Sequence, residues 1–132
     1  MNGLEPRMRP TLLIADDDPV VCSMLSMALE QRFDVVAAAD DGEQAVARAA
    51  EIRPDAAVID VQMPAGGGAR AVRGITEASP DTAIVVLSGD ESDAVVRDLV
   101  QAGAMAYVRK GIAARELIET LESSMRAHRL HA

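Results

Sequence analysis

The chain has 132 residues and a formal net charge of −8, an acidity that sets it against DNA, RNA and anionic lipid as direct partners. Its residues are 49% hydrophobic but only 2% aromatic, which suits one domain with a core built from Ala, Val, Leu, Ile and Met. The lone Cys22 excludes an internal disulfide, and no stretch approaches a membrane span or supplies the apolar segment of a secretory leader, so a soluble cytoplasmic domain is expected. Cys22 lies in a helical pattern and reads as a packing residue rather than a reactive thiol.

Residues Met1 to Pro10 are polar, carry two prolines and read as an N-terminal arm (1–10) ahead of a domain over residues 11–126. Thr11 to Ala15 is a first strand, apolar enough to be buried on both faces. Asp16-Asp17-Asp18 follows. Asp18 and Pro19 supply the N-cap and first residue of a helix to about Arg32, striped by Val21, Met24, Leu25, Ala28 and Leu29. A second strand spans Asp34 to Ala38, and Asp40-Asp41-Gly42 turns into a helix from Glu43 to about Ile52, ended by Arg53-Pro54. Ala56 to Ile59 is a third strand, which meets Asp60, an ionisable residue costly to bury without a partner. Pro64 and Gly66-Gly67-Gly68 make a loop before a helix over Ala69 to Ala78. Thr82 to Leu87 is the fourth strand; Ser88-Gly89-Asp90 leads into a helix from about Glu91 to Ala102, with Gly103 at its C-terminal cap. Ala104 to Val108 is the fifth strand, followed by Arg109-Lys110-Gly111, a helix from about Ala113 to Arg126, and a tail over residues 127–132. Five strands alternating with five helices give an α/β domain with a parallel sheet covered on both faces.

In a parallel sheet every carboxyl end lies on one edge. Four of these ends carry polar residues that an apolar strand need not supply: Asp16 and Asp17, Asp60, Ser88 and Lys110. In one common order for such sheets, 2-1-3-4-5, a crevice opens between strands one and three, with Asp16, Asp17 and Asp60 inside it and Asp40 and Asp41 outside. Two like charges ~4 Å apart interact by roughly 4 kcal/mol near a protein surface, so either one carboxyl holds a proton or a cation sits among them. An oxygen-only cluster suits Mg²⁺, which normally shares its shell with a phosphate. Lys110 and the Ser88 hydroxyl are suitable donors to phosphoryl oxygens, and Asp60 is available as the nucleophile. Individually, these residues also read as a capping run, a turn serine and a solvated lysine; their joint placement gives them weight.

With these motifs in hand, the sequence resembles the response-regulator receiver domain of two-component signalling from Thr11 to about Arg126. LLIADDDPVV is similar to the first strand and acidic pair, VIDVQMPAGGG to the phosphoacceptor strand and loop, VVLSGD to the Ser/Thr strand, and AYVRKG to the aromatic-x-x-Lys strand. The resemblance implies a flavodoxin-like (βα)5 three-layer sandwich with strand order 2-1-3-4-5. It implies that Asp60 accepts a phosphoryl group from a sensor histidine kinase, a phosphotransfer protein or a small phosphodonor. Mg²⁺ would be held by Asp17, Asp60 and the backbone carbonyl of Gln62, with Asp16 acting mainly through a bound water. Lys110 would pair with the phosphoryl group, Ser88 would shift to hydrogen-bond it, and Tyr107 would turn inward, giving a two-state switch that controls an output domain or partner. Kinase docking is expected on the first helix near Val20, Val21 and Met24. Output or homodimerisation is expected on the face formed by the fourth helix, fifth strand and fifth helix. Gln62 and Asp90 stand where the family varies its dephosphorylation rate.

Two departures from the family pattern stand out. Gly111 replaces the common proline after the lysine and frees that turn, and Gly66 to Gly68 replaces a more constrained loop. Other readings compete. Asp16 to Val20 also fits the opening of a haloacid-dehalogenase-type phosphatase, but that leaves Asp60 without a role and lacks a later acidic pair. An FMN binder would need a phosphate loop where this chain is triply acidic. A pseudo-receiver, an interaction module that keeps the fold without the chemistry, is admitted by Gly111.

Overall fold

The computed structural model describes residues 9–63, 67–89 and 92–130. Its elements run β1 (Thr11–Ala15), α1 (Pro19–Leu29), β2 (Asp34–Ala39), α2 (Gly42–Ile52), β3 (Ala56–Asp60), α3 (Gly67–Ala78), β4 (Ala83–Ser88), α4 (Asp93–Ala102), β5 (Ala106–Arg109) and α5 (Ala114–Leu130). All strand pairs are parallel and the order is β2-β1-β3-β4-β5, so the doubly wound architecture expected from the sequence is the one observed.

Strand periodicity divides the apolar residues between two cores. Leu13, Ala15, Ala57, Ile59, Ile84 and Val86 face α2, α3 and α4, where they meet Ala45, Ala49, Val72, Ile75 and Leu99. Their neighbours Leu12, Ile14, Ala56, Val58, Val85 and Leu87 face α1 and α5, packing on Leu29, Phe33, Leu117, Ile118 and Leu121. Small residues let the layers close tightly: a Cβ on Gly74 of α3 would stand 2.4 Å from a Val46 methyl carbon of α2.

Several element ends differ from the sequence expectation for local reasons. α1 stops at Leu29 rather than Arg32, because the Leu29 carbonyl accepts the amides of both Arg32 and Phe33 while the Phe33 ring enters the core. β4 begins one residue late, since the Thr82 hydroxyl is bonded to the Pro54 carbonyl and to Ser79. β5 begins at Ala106 because the Ala104 amide closes α4 onto the Leu99 carbonyl. Residues 127–130, expected in a tail, continue α5, and His128 Nε2 lies 2.7 Å from the Pro80 carbonyl oxygen. Glu91, expected to open the fourth helix, lies outside the described residues, and α4 begins at Asp93 behind a Ser92 cap.

The glycines after β3 are more constrained than an open loop. Gly67 has φ +63°, and Gly68 sits in the first turn of α3, with its amide bonded to the Val61 carbonyl at 2.8 Å. A Cβ on Gly68 would lie 2.7 Å from Val61 Cα and 2.9 Å from the Asp60 carbonyl oxygen. Gly66 lies outside the described residues. Gly111 differs: its φ is +88°, yet among the described residues nothing beyond its chain neighbours stands within 4 Å of where a Cβ would be. Its glycine is needed for backbone conformation rather than room, and the φ of about −65° that proline fixes is incompatible with the observed turn.

Gly68→Ala is therefore expected to cost roughly 2–3 kcal/mol, because backbone atoms must move to admit a methyl group. Gly111→Ala should cost only about 1–2 kcal/mol from left-handed strain. Urea unfolding of both variants checks the order; equal costs would contradict the close approach at Gly68.

Candidate functional site

The site forms where β1, β3 and β5 end together. Asp16 and Asp17 follow β1, and Asp18 caps α1, accepting the Val20 amide at 2.9 Å. The chain thus turns immediately after two carboxylates, and Pro19 at the first helical position holds that turn. Asp60 is the last residue of β3, buried and paired with Leu87 of β4. Carboxylate oxygens of Asp16, Asp17 and Asp60 all lie within 4.8 Å of one another, with Asp16 and Asp60 buried and Asp17 exposed. Lys110 comes from just beyond β5, and its Nζ stands 2.9 Å from Asp60 Oδ1. The same oxygen accepts the Gln62 amide at 3.2 Å. Lys110 is the only lysine among the chain's 13 basic residues.

Asp16 carries the strain of this crowding. Its Oδ1 accepts the Asp18 amide at 2.9 Å, while Oδ2 is buried with no hydrogen-bond partner. Burial pushes its carboxyl above the ordinary aspartate range; the Asp18 amide opposes this, Asp60 adds to it, Lys110 opposes it and Asp17 adds a little. An unpartnered buried oxygen beside two more carboxylates, with no Cys or His in the cluster, fits a hard divalent cation such as Mg²⁺.

The remaining expected residues do not all converge on that cluster. Ser88 is buried at the end of β4, opposite Arg109 in the ladder, while Leu87 is opposite Val108. Strand alternation therefore puts Ser88 and Tyr107 on the α3–α4 face, and Asp60 and Lys110 on the α1–α5 face. Tyr107 is 51% exposed and lines a shallow cavity with Val96, Arg97 and Val100 of α4. On the α1–α5 side a groove of about 490 Å³, lined by Val21, Met24, Leu25, Ile112 and Leu117, opens onto Asp16 and Lys110. Cys22 is half-buried; its Sγ donates to the Asp16 carbonyl at 3.4 Å, and burial raises its thiol pKa. Asp41, placed outside the crevice by the strand order, caps α2 by accepting the Gln44 amide at 2.7 Å. Asp90 lies outside the described residues. Arg109, which the sequence motifs did not single out, donates to the Gly89 carbonyl at 3.1 Å.

A parallel α/β sheet that gathers three carboxylates and a lysine over its crevice defines the receiver class of signalling domain. The family model for the response regulator receiver domain matches residues 12–122, and the chain belongs to that family, whose general mechanism is phosphorylation on an aspartate. Among curated relatives, response regulator GacA of Pseudomonas viridiflava is 33% identical over 112 residues, covering 83% of this chain and 52% of the relative. The probable transcriptional regulatory protein TcrX of Mycobacterium tuberculosis is 31% identical over 119 residues, covering 88% of this chain and 50% of the relative. The chain thus spans about half the length of the curated relatives it matches. Among solved structures, a LuxR-family two-component response regulator from Aurantimonas sp. SI85-9A1 superposes with a TM-score of 0.83 at 28% identity, covering 89% of this chain and 86% of that one. The receiver domain of a modulated diguanylate cyclase from Desulfovibrio desulfuricans G20 shares the fold, with a TM-score of 0.85 at 23% identity and coverage of 93% and 98%. No helix among the described residues is long and apolar enough to cross a membrane.

Because the Asp16 carboxyl holds its proton more tightly in the folded chain, its ionisation opposes folding. That opposition is absent below the unfolded aspartate range and grows as pH rises through the folded value. Without metal, Asp16→Asn should therefore stabilise the fold at pH 7 by about 1 kcal/mol, in the manner of residues kept for function. The gain should shrink toward about pH 4, near the ordinary aspartate range. Urea unfolding in chelator at both pH values checks this; a loss of stability at pH 7 would contradict it.

Proposed function

We propose that this chain is a working phosphoryl acceptor and that Asp60 is the residue phosphorylated. The observation that carries this reading is the 2.9 Å pair between Lys110 Nζ and Asp60, whose carboxylate lies within 4.8 Å of two others at one crevice. A carboxylate oxygen of Asp60 attacks the donor phosphorus, a P–O bond forms, and the bond to the donor's oxygen or imidazole nitrogen breaks. The donor departs with those electrons. Lys110 offsets the negative charge that gathers on the phosphoryl oxygens. The Gln62 amide fixes the orientation of the Asp60 carboxylate before attack. Asp17, Asp60 and the Gln62 carbonyl would hold Mg²⁺ directly, with Asp16 through water. The ion would supply positive charge to phosphoryl oxygens that carboxylates alone repel.

Once Asp60 is phosphorylated, Ser88 donates its hydroxyl to a phosphoryl oxygen and Tyr107 turns inward, so the bound group favours one of two arrangements. The phosphodonor is a sensor histidine kinase, a phosphotransfer protein or a small acyl phosphate. Docking on α1 is supported by exposed Val20 and Met24 beside the apolar groove. The face of α4, β5 and α5 exposes Val95, Val100 and Tyr107 and suits an output partner or a second copy of the chain. A net charge of −8 argues that nucleic acid is not bound by this chain itself. The domain works in the cytoplasm and promotes its own phosphorylation and dephosphorylation.

Intact mass after incubation with acetyl phosphate tests the reading. One phosphoryl group should be added to wild type with Mg²⁺, and none without Mg²⁺ or in Asp60→Asn. Lys110→Ala should react on the order of 10²-fold more slowly, as when a charge-stabilising donor is removed. No adduct under any donor would leave an interaction module that keeps the fold without the chemistry.

A further inference from the structure

Arg109 has no task in the reading above, yet its position is specific. It stands opposite Ser88 in the β4–β5 ladder, two residues after Tyr107 and immediately before Lys110. The Ser88 carbonyl accepts the Lys110 amide at 2.8 Å, so backbone still holds the chain there. One residue later the Gly89 carbonyl accepts from Arg109 Nη1 at 3.1 Å. A side chain thus adds to the anchoring at the start of the β4–α4 connection, at the peptide that follows Ser88.

We propose that Arg109 is a positioning residue, a latch that holds the start of the β4–α4 connection in the arrangement with Tyr107 outward. The proposal rests on the reading of Ser88 and Tyr107 as the switch. Ser88 and Tyr107 lie on the α3–α4 face, whereas Asp60 lies on the other. Drawing the Ser88 hydroxyl toward Asp60 turns the peptide that carries the Gly89 carbonyl, and the Arg109 bond is lost. An interaction made in only one of two arrangements biases their equilibrium by its own strength, and a charge-assisted hydrogen bond at an exposed position is worth about fivefold. The latch thus raises the phosphoryl contact needed before the switch turns over, without Arg109 touching the phosphoryl group.

The chain has one tyrosine and no tryptophan, so its intrinsic fluorescence reports on Tyr107 alone. Wild type, Arg109→Ala and Arg109→Lys would be titrated with beryllium fluoride, a phosphoryl mimic, in Mg²⁺. Tyrosine emission and its quenching by acrylamide are the readouts. Arg109→Ala should bind about fivefold more tightly, and its tyrosine should be less accessible before any beryllium fluoride is added. Arg109→Lys, which keeps the charge and shortens the reach, should fall between. Binding by Arg109→Ala that equals or is weaker than that of a responsive wild type would overturn the latch and leave the switch intact. A wild type that is phosphorylated on Asp60 by mass yet shows no tyrosine response would overturn both.

Discussion

Repulsion among Asp16, Asp17 and Asp60, and its relief by Lys110, organises the carboxyl edge of the sheet. Three of the five strands that end there deliver parts of the balance. β1 brings two negative charges, β3 a third, and β5 the cation that stands 2.9 Å from Asp60. The relief is incomplete, because Asp16 Oδ2 remains buried without a partner. Such a site opposes folding, and the two apolar cores must supply the stability it withholds. Those cores pack short aliphatic strands against the helices, which holds the strand ends in register while carrying no chemistry of its own.

The sheet also separates two groups of residues by face. Asp60 and Lys110 look toward α1 and α5, where the apolar groove opens; Ser88, Tyr107 and Arg109 look toward α3 and α4. The two sets adjoin at the rim of the sheet, where Ser88 and Arg109 pair in the β4–β5 ladder and Lys110 follows Arg109. Helices on opposite faces can therefore meet different partners while sharing the few strand-end residues that connect them.

Much of this was legible in the sequence, because a strand buried on both faces is written as an apolar run and each run ended in a polar residue. The three carboxylates, Lys110 and the cap at Asp18 needed only strand order to be brought together. What stayed hidden depended on contacts between distant backbones. Gly66 to Gly68 read as freedom, whereas Gly68 is held by the close approach of Asp60 and Val61. Arg109 drew no role from the motif it sits in, since nothing in its neighbours announces that the Gly89 carbonyl lies within reach. The early end of α1 and the late start of β5 were set by which amides Leu29 and Leu99 accept, a choice that propensity does not encode.

The placement of the single lysine has a consequence outside signalling. Every other basic side chain is arginine or histidine, so a reagent that acylates lysine ε-amines finds only Lys110, which is 44% exposed. Acylation elsewhere on a lysine-rich surface is tolerated as one small change among many. Here the same event would neutralise the cation paired with Asp60, so covalent damage to lysine and loss of the site's charge balance become a single event.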